Sequence, residues 1–190
     1  MKKLILLVLL VIFALAKTSQ GQTVTTSFNV RYEYHPIRYS VNDQNLDFQN
    51  AHIGKIGVYG KRYKFGPLYF EWHPITLTVS SFREEPWGLS CSDFVFRTGR
   101  GRWKVCLYMD LLEFTRNRYI SKHLIFHHSV AGGVDYYLTD RLMLTLNAGV
   151  TYERNKVYHE HYFSPFVGIG LKCDAKRVIT QKINWDHVIY

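Results

Sequence analysis

GGVDYYLTDRLMLTLNAGVTYE, residues 132–153, decides the fold of this chain. From Leu142 onward an apolar side chain recurs at every second position, through Leu144, Leu146 and Ala148 to Val150, and the residues between them are mostly polar or small. A period of two predicts a β-strand with one apolar and one polar face. The Thr139-Asp140 pair predicts a tight turn, so the stretch is expected to be a hairpin.

A strand of this pattern suits a membrane. About eleven residues cross a hydrocarbon layer of roughly 30 Å when the strand tilts by about 45°. A closed barrel is the sheet that satisfies all its backbone hydrogen bonds in lipid, because it has no edge. We therefore expect the hairpin to belong to a transmembrane barrel.

The rest of the chain supplies the other strands. Alternation of the same kind predicts strands over residues 22–35, 52–65, 68–79, 91–97, 103–111, 122–138 and 162–173, beside the strand that begins near Leu142. Pro74 cannot donate a ladder hydrogen bond and the apolar parity shifts across it, which predicts a bulge. Eight is the smallest even number of strands that closes a membrane barrel. The predicted fold is an all-β, eight-stranded antiparallel up-and-down transmembrane β-barrel.

The predicted connections alternate in length. Residues 36–51, 80–90, 113–121 and 154–161 read as long or medium loops, whereas 65–67, 98–101 and 139–140 read as short turns. Outer-membrane barrels have short periplasmic turns and longer outer loops. We therefore expect the longer set to face the cell exterior and both termini to lie in the periplasm.

Both ends of the chain differ in composition from the barrel. Two lysines, an apolar run over residues 4–16 and small residues before Gln22 predict a secretory signal peptide over residues 1–21. Its removal takes away Lys2, Lys3 and Lys17, so the formal net charge falls from +9 to +6. Residues 22–173 then form the barrel, and residues 174–190 form a periplasmic tail or a closing strand.

The signal peptide, the hairpin and the closing segment SPFVGIGLK, residues 164–172, together resemble the small bacterial outer-membrane β-barrel proteins of the OmpA/OmpX type, in the porin-like superfamily. The resemblance implies an integral outer-membrane protein of a Gram-negative bacterium with a structural or surface-binding role. We expect a monomer whose partners are outer-membrane lipid, lipopolysaccharide and the outer-membrane assembly machinery. No nucleic-acid motif accompanies the basic charge, and no cofactor is expected.

The alternation assigns side chains to the two sides of the wall. An eight-stranded barrel is narrow enough for side chains to fill its interior, so a plugged lumen is expected. The predicted polar core comprises Asn29, Arg31, Glu33, Asp110, Asp135, Arg141, Asn147 and Glu153. The predicted lipid face comprises Val24, Phe28, Val30, Leu142, Leu144, Leu146 and Val150.

Two alternative functions remain open. His127 and Ser129 share a strand face, and their His-x-Ser spacing is similar to that of outer-membrane lipid A deacylases, which predicts a hydrolase if a carboxylate orients the imidazole. In those enzymes Asn follows the serine, whereas Val130 stands here. The other alternative is a soluble periplasmic lipocalin-like binder of small ligands, whose apolar faces would point inward.

Metal and thiol chemistry have weaker support. His159 and His161 share a strand face and are candidate zinc ligands, although no third ligand is identifiable. Three cysteines, Cys91, Cys106 and Cys173, make an odd count that does not form a disulfide framework, and a Cys91–Cys106 bridge is left open.

Overall fold

The fold is a closed antiparallel β-barrel. A computed structural model describes residues 23–65, 67–81, 87–116, 124–155 and 160–179. Within them the strands are β1 Thr23–Ser40, β2 Leu46–Phe65, β3 Leu68–His73, β4 Ile75–Ser80, β5 Trp87–Ser90, β6 Asp93–Thr98, β7 Trp103–Arg116, β8 Leu124–Tyr137, β9 Leu142–Asn155 and β10 Glu160–Ile179. No helix in these ranges is long and apolar enough to span a membrane.

The ten strand segments form the eight strands of the barrel, each of which we call a wall. β3 and β4 both pair with β2, and β5 and β6 both pair with β7, so each of these two pairs is one wall strand with an interruption. β1 pairs with β2 on one side and with β10 on the other, which closes the cylinder. The predicted eight-stranded antiparallel barrel is confirmed.

The barrel has two distinct ends. Connections 99–102 and 138–141 lie at the end that also holds Thr23, Ile179 and the Phe65–Leu68 ladder pair, and we call this the turn end. Connection 41–45 lies at the opposite end, the loop end, where β4, β7 and β9 end and β5, β8 and β10 begin. At the turn end Gly101 adopts a φ of 62°, a left-handed conformation that glycine accepts without steric cost.

Three interruptions of the ladder lie side by side in the wall, and we call them the bulge row. The predicted break at Pro74 separates β3 from β4, Cys91 and Ser92 separate β5 from β6, and Leu111 and Leu112 interrupt the pairing of β7. They are neighbours, because β3 and β4 pair with β6 and β5, which in turn pair with β7 on either side of its bulge. The register is the same on either side of Pro74 and of Cys91–Ser92, whereas the β7–β8 register shifts at Leu111–Leu112. The buried positions change parity across all three interruptions.

Side chains replace the ladder hydrogen bonds that the bulge row removes. The backbone N–H of Leu112 donates to Ser92 Oγ at 2.6 Å, and Trp72 Nε1 donates to the carbonyl of Cys91 at 3.1 Å. An unsatisfied backbone group in an apolar layer costs several kcal/mol, so these two contacts keep the interruptions tolerable.

Several strands are longer than the sequence indicated. Residues 36–51, predicted as a loop, mostly extend β1 and β2, and the connection covers only 41–45. Register shifts follow Tyr34 and His35, so the inward parity changes near Pro36 and the simple alternation ends there. The predicted loops 80–90, 113–121 and 154–161 likewise begin or end as strand. Bulges therefore masked the true strand length.

The closing strand is also longer than predicted. β10 extends to Ile179 and pairs with the start of β1, so residues 174–179 continue the barrel wall rather than leave it. The predicted signal peptide, residues 1–21, lies outside the described residues, as do residues 180–190.

Candidate functional site

The side chains face the opposite way from those of a soluble protein. In β9, Met143, Thr145 and Asn147 are buried, whereas Leu146 is 51% exposed and Val150 is 43% exposed. Phe28 and Val30 on β1 are likewise exposed, and Leu142 and Leu144 are half-buried. The side chain of Val24 lies outside the described part of the chain. Apolar groups thus surround the barrel and polar groups fill it.

Buried charge in the interior is nearly balanced. Among the side chains that the structure describes, those that are buried include six Lys or Arg and seven Asp or Glu residues. Isolated charges would be expensive to bury, but paired and hydrogen-bonded charges are tolerated. The interior is therefore a network of ion pairs that forms three layers along the barrel axis.

Glu71 is the centre of the layer at the turn end. Its Oε2 atom accepts from Arg62 Nε at 3.0 Å and from Arg97 Nη1 at 2.7 Å, and Lys172 forms a further ion pair with it. The Nε2 atom of His73 lies 2.6 Å from Glu71 Oε1. A fully buried carboxylate is thus surrounded by three cations, which links β2, β3, β6 and β10.

Two more carboxylates neutralise the arginines of this layer. Asp135 accepts hydrogen bonds from Arg97 and from the Tyr108 hydroxyl. Asp174 accepts from both terminal nitrogens of Arg62, at 2.7 and 2.9 Å. Each arginine is thereby shared between Glu71 and one other carboxylate. Such planar, bidentate geometry is the arrangement in which a buried guanidinium is best satisfied.

The middle layer joins β1 to the region of the bulge row. Arg31 Nη2 donates to Asp93 Oδ2 at 2.8 Å, and Thr76 Oγ1 donates to the same oxygen at 3.2 Å. The Asn29 side chain lies 3.2 Å from His73 Nε2 and accepts from the backbone N–H of Gly57 at 3.1 Å.

Lys55 is the centre of the layer nearest the loop end. Its Nζ atom lies 2.9 Å from Glu113 Oε2 and 3.5 Å from Glu33 Oε2. Asp110 accepts from Ser90 Oγ at 2.6 Å just below. This layer therefore has more carboxylate than ammonium groups.

A cavity opens above Lys55. Its volume is about 30 Å³, which is room for only a few water molecules. Residues from seven of the eight barrel strands line it, and they include Glu33, His35, Lys55, Glu113, His127 and Ser164. Arg38 covers its loop end, where it pairs with Glu153 and lies 3.7 Å over the Tyr162 ring. The cavity is a small recess whose lining consists mostly of charged, hydroxyl and imidazole residues.

The predicted polar core divides into three groups. Asn29, Arg31, Glu33, Asp110, Asp135 and Asn147 are all buried inside the barrel. Glu153 is half-buried near the loop end, in its ion pair with Arg38. Arg141 differs from the prediction: it lies exposed in the turn that precedes β9, because strand alternation does not apply before Leu142.

The hydrolase candidates lie inside the barrel. His127 is half-buried on the cavity wall, with its Nε2 atom 2.9 Å from Thr115 Oγ1, and Ser129 is buried opposite Asp110 in the ladder. A lipid substrate would approach from the outer surface of the wall. The structure thus directs the imidazole toward a threonine of β7 and places both side chains away from the acyl chains.

The described zinc candidate and the cysteines form no metal site or disulfide within the described part of the chain. His161 stacks on Tyr152 and accepts or donates a hydrogen bond with its hydroxyl, whereas His159 lies outside the described residues. Within the described ranges no group of three or more His, Cys, Asp or Glu residues could hold a metal. The three cysteines are free thiols; Cys106 is buried inside the barrel and Cys91 is exposed, so the two lie on opposite sides of the wall.

Aromatic residues border the exposed apolar band at both ends. At the turn end Trp103 packs on Tyr136 with ring centroids 4.5 Å apart. Toward the loop end Tyr152 packs between His128 and Phe163, and Tyr32 hydrogen-bonds His52 at 2.5 Å. Amphipathic rings of this kind are enriched at the two interfaces of a membrane.

Several network residues were missed in the sequence. Glu71, Arg62, Arg97, Lys172 and Asp174 dominate the layer at the turn end, yet none was predicted. Lys172 does occupy the polar parity of the last predicted strand, which was an available signal. Asp174 lay beyond the predicted strand end, so no alternation pointed to it.

Comparisons with known proteins give structural similarity alone. No protein-family model matches the chain, and no curated protein matches it in sequence. The crystal structure of Neisserial surface protein A is similar with a TM-score of 0.48 and 12% identity, over 78% of this chain and 96% of that one. A de novo designed transmembrane β-barrel is similar with a TM-score of 0.41 and 14% identity, over 84% of this chain and all of that one.

The closed antiparallel ladder, the apolar outer band and the charged interior together define the class: this is an eight-stranded β-barrel of the transmembrane type.

Proposed function

We propose that the protein is an integral barrel of a bacterial outer membrane with a structural or surface-binding role. The observation that carries the proposal is the reversed burial of its side chains: charged residues such as Glu71 and Asp135 are fully buried, while Leu146 and Val167 are half exposed. A soluble lipocalin-like binder would need an apolar interior, so that alternative is not proposed.

The lumen is proposed to be plugged. Opposite charges at 2.7 to 3.0 Å bridge the barrel at several heights, and each pair would have to separate before an ion could pass. An eight-stranded barrel is only wide enough for its own side chains. In a planar bilayer the protein is expected to give no steady ohmic conductance. Stable single-channel steps would contradict the plugged lumen while leaving the membrane location intact.

The loop end is proposed to face the cell exterior, with both termini in the periplasm. β1 and β2 contain 18 and 20 residues, which is more than a tilted strand of about 11 residues needs to cross the membrane. Both strands therefore extend beyond the membrane at the loop end. This projecting part is where a surface partner would bind, and the barrel acts there as a monomer beside lipopolysaccharide.

The location can be tested by fractionation. The full chain, expressed in a Gram-negative host, is expected in the outer-membrane fraction and to depend on the barrel assembly machinery. It should migrate faster in an unheated gel than after boiling. Recovery of a soluble, heat-insensitive protein from the periplasm would refute the proposal.

The orientation needs a separate measurement. An epitope inserted after Asp43, at the loop end, is expected to bind antibody on intact cells. A matched insertion after Asp140, at the turn end, should bind only after the outer membrane is opened. The reverse pattern would invert the proposed topology.

No enzymatic activity is proposed. His127 contacts Thr115 inside the barrel, so it is poorly placed to activate Ser129 toward a lipid in the surrounding layer. Expression of the full chain and of Ser129→Ala is expected to leave the acylation pattern of lipid A equally unchanged. A loss of one acyl chain that requires Ser129 would establish the hydrolase instead.

A further inference from the structure

Among the described side chains, exposed positive charge is concentrated at the turn end. Arg100, Arg102 and Arg141 are all exposed there, and Asp140 is the single exposed carboxylate among the described side chains of that end. Four more basic residues occupy backbone positions in the last ladder pairs of the same end: Lys61, Lys64, Lys176 and Arg177. We call the three exposed arginines the basic collar.

The described side chains of the loop end do not show this excess. Arg38 is neutralised by Glu153, and Arg154 is the one exposed Lys or Arg side chain that the structure describes on that end. Asp43 and Asp47 are exposed in or beside the β1–β2 connection. Because the buried interior is also nearly neutral, the described part of the chain is electrically polarised along the barrel axis, with its positive pole at the turn end.

The basic collar lies at the border of the apolar band. Arg102 directly precedes Trp103, whose side chain is 61% exposed, and Arg141 directly precedes Leu142 at the start of β9. One strand residue advances about 3.3 Å, so the backbones of Arg102 and Arg141 lie within one residue of the apolar band. If the protein has the proposed membrane location, lipid phosphates are expected at this depth.

The backbone under the collar is fixed. The carbonyl of Arg102 accepts from the N–H of Tyr137 at 2.9 Å, and the carbonyl of Arg141 accepts from the N–H of Asp174 at 2.8 Å. Two of the three arginines are thus anchored to neighbouring strands, and their side chains are free to extend into the interface. Little backbone ordering is then needed on binding.

We propose that the basic collar binds the phosphate headgroups of anionic phospholipids in the leaflet that faces the turn end. The inference rests on the proposed membrane location. A soluble polyanion is less suitable, because the collar borders an apolar band that only a lipid could cover at the same time. Each basic residue near an anionic surface contributes about 1 kcal/mol of attraction, and the effect is screened by salt.

The test measures lipid retention by the full chain. The protein is inserted into vesicles that contain phosphatidylcholine and phosphatidylglycerol of equal chain length, extracted, and weighed by native mass spectrometry. We expect phosphatidylglycerol to be retained in preference. Arg102→Gln should lower that preference by about fivefold, and Arg100→Gln and Arg141→Gln should act in the same direction. Arg154→Gln, which removes one exposed charge at the loop end, is the matched control and should leave the preference unchanged.

Four outcomes would overturn the proposal. Equal retention of the two lipids, or an equal effect of Arg154→Gln, would mean that the collar has no role, even if a heat-modifiability gel shows correct insertion. Failure of the protein to insert into either vesicle would refute the proposed function together with the collar. Weaker binding of Arg102→Gln to heparin with an unchanged lipid ratio would assign the collar to a soluble polyanion.

Discussion

Arg62 and Asp174 lie 112 residues apart, yet both terminal nitrogens of the guanidinium donate to the two carboxylate oxygens, at 2.7 and 2.9 Å. Arg62 belongs to β2 and Asp174 to β10, and β1 runs between these two strands. The pair therefore ties the second strand to the last strand across the first. It fastens the barrel where the first and the last strands pair.

Asp174→Asn should destabilise the barrel strongly. Among the described side chains, the substitution leaves the buried guanidinium with Glu71 as its one anionic partner. The loss of one member of a buried pair costs about 3 to 5 kcal/mol. Urea unfolding in lipid vesicles measures the change. Asp140→Asn, in the exposed turn nearby, is the control and should change the free energy of unfolding by less than about 0.5 kcal/mol. Equal effects would mean that Arg62 and Asp174 do not fasten the barrel.

The sequence predicted well whether a side chain faces the interior or the outside of the barrel. It predicted poorly which side chains form ion pairs with one another. The alternation from Leu142 to Val150 correctly indicated a strand, and it works because the two sides of a thin wall meet opposite environments. Alternation does not indicate which strand lies across the barrel from a given residue. The pairing of Glu71 with Arg62, Arg97 and Lys172 therefore required the closed cylinder.

Bulges explain the errors in strand length. At Pro36 and at Leu111–Leu112 one extra residue reverses the parity, so the pattern of a continuing strand looks like its end. Residues beyond each bulge that face the interior, such as Arg38 and Thr115, then occupy positions that the unbroken alternation assigns to the outer face. A search that permits one parity change at a proline would have extended β1 and β2.

Gly132 and Gly133 are adjacent but should respond oppositely to substitution. A methyl group at Gly133 would lie 2.4 Å from the carbonyl oxygen of Leu146, whereas nothing lies within 4 Å of one at Gly132. We expect Gly133→Ala to cost about 1 to 3 kcal/mol through backbone displacement. Gly132→Ala should be neutral or stabilise by up to about 1 kcal/mol. The two midpoints in urea give the comparison, and a larger loss at Gly132 would contradict the assigned facing.

Leu146→Arg should impair assembly because it places a charge in the middle of the apolar band, where Leu146 is 51% exposed. An arginine at mid-depth costs about 2 to 4 kcal/mol, and the cost falls to about 0 to 1 kcal/mol near the interfaces. Leu138→Arg is the matched control, since Leu138 is 43% exposed but lies in the connection at the turn end. The folded fraction in vesicles is the measurement. If both variants folded equally well, no apolar layer could surround the barrel.

Ser92→Ala tests the bulge row. The hydroxyl accepts the backbone N–H of Leu112 at 2.6 Å in place of a ladder bond. Its removal leaves that N–H unsatisfied in the wall, at a cost of about 1 to 3 kcal/mol. Ser92→Thr keeps the hydroxyl and should retain most of the stability. Amide hydrogen exchange at Leu112 should accelerate in Ser92→Ala and stay near that of the original chain in Ser92→Thr. Unchanged exchange in both would show that another group satisfies Leu112.

In the proposed orientation, the length of β1 and β2 determines what a partner outside the cell would contact. The two strands form a hydrogen-bonded ribbon whose connection has only five residues, 41–45. A ribbon that is paired this close to its tip is expected to keep one shape. A partner would therefore have to fit that shape, and a protease would find few unpaired residues to cut in β1 and β2.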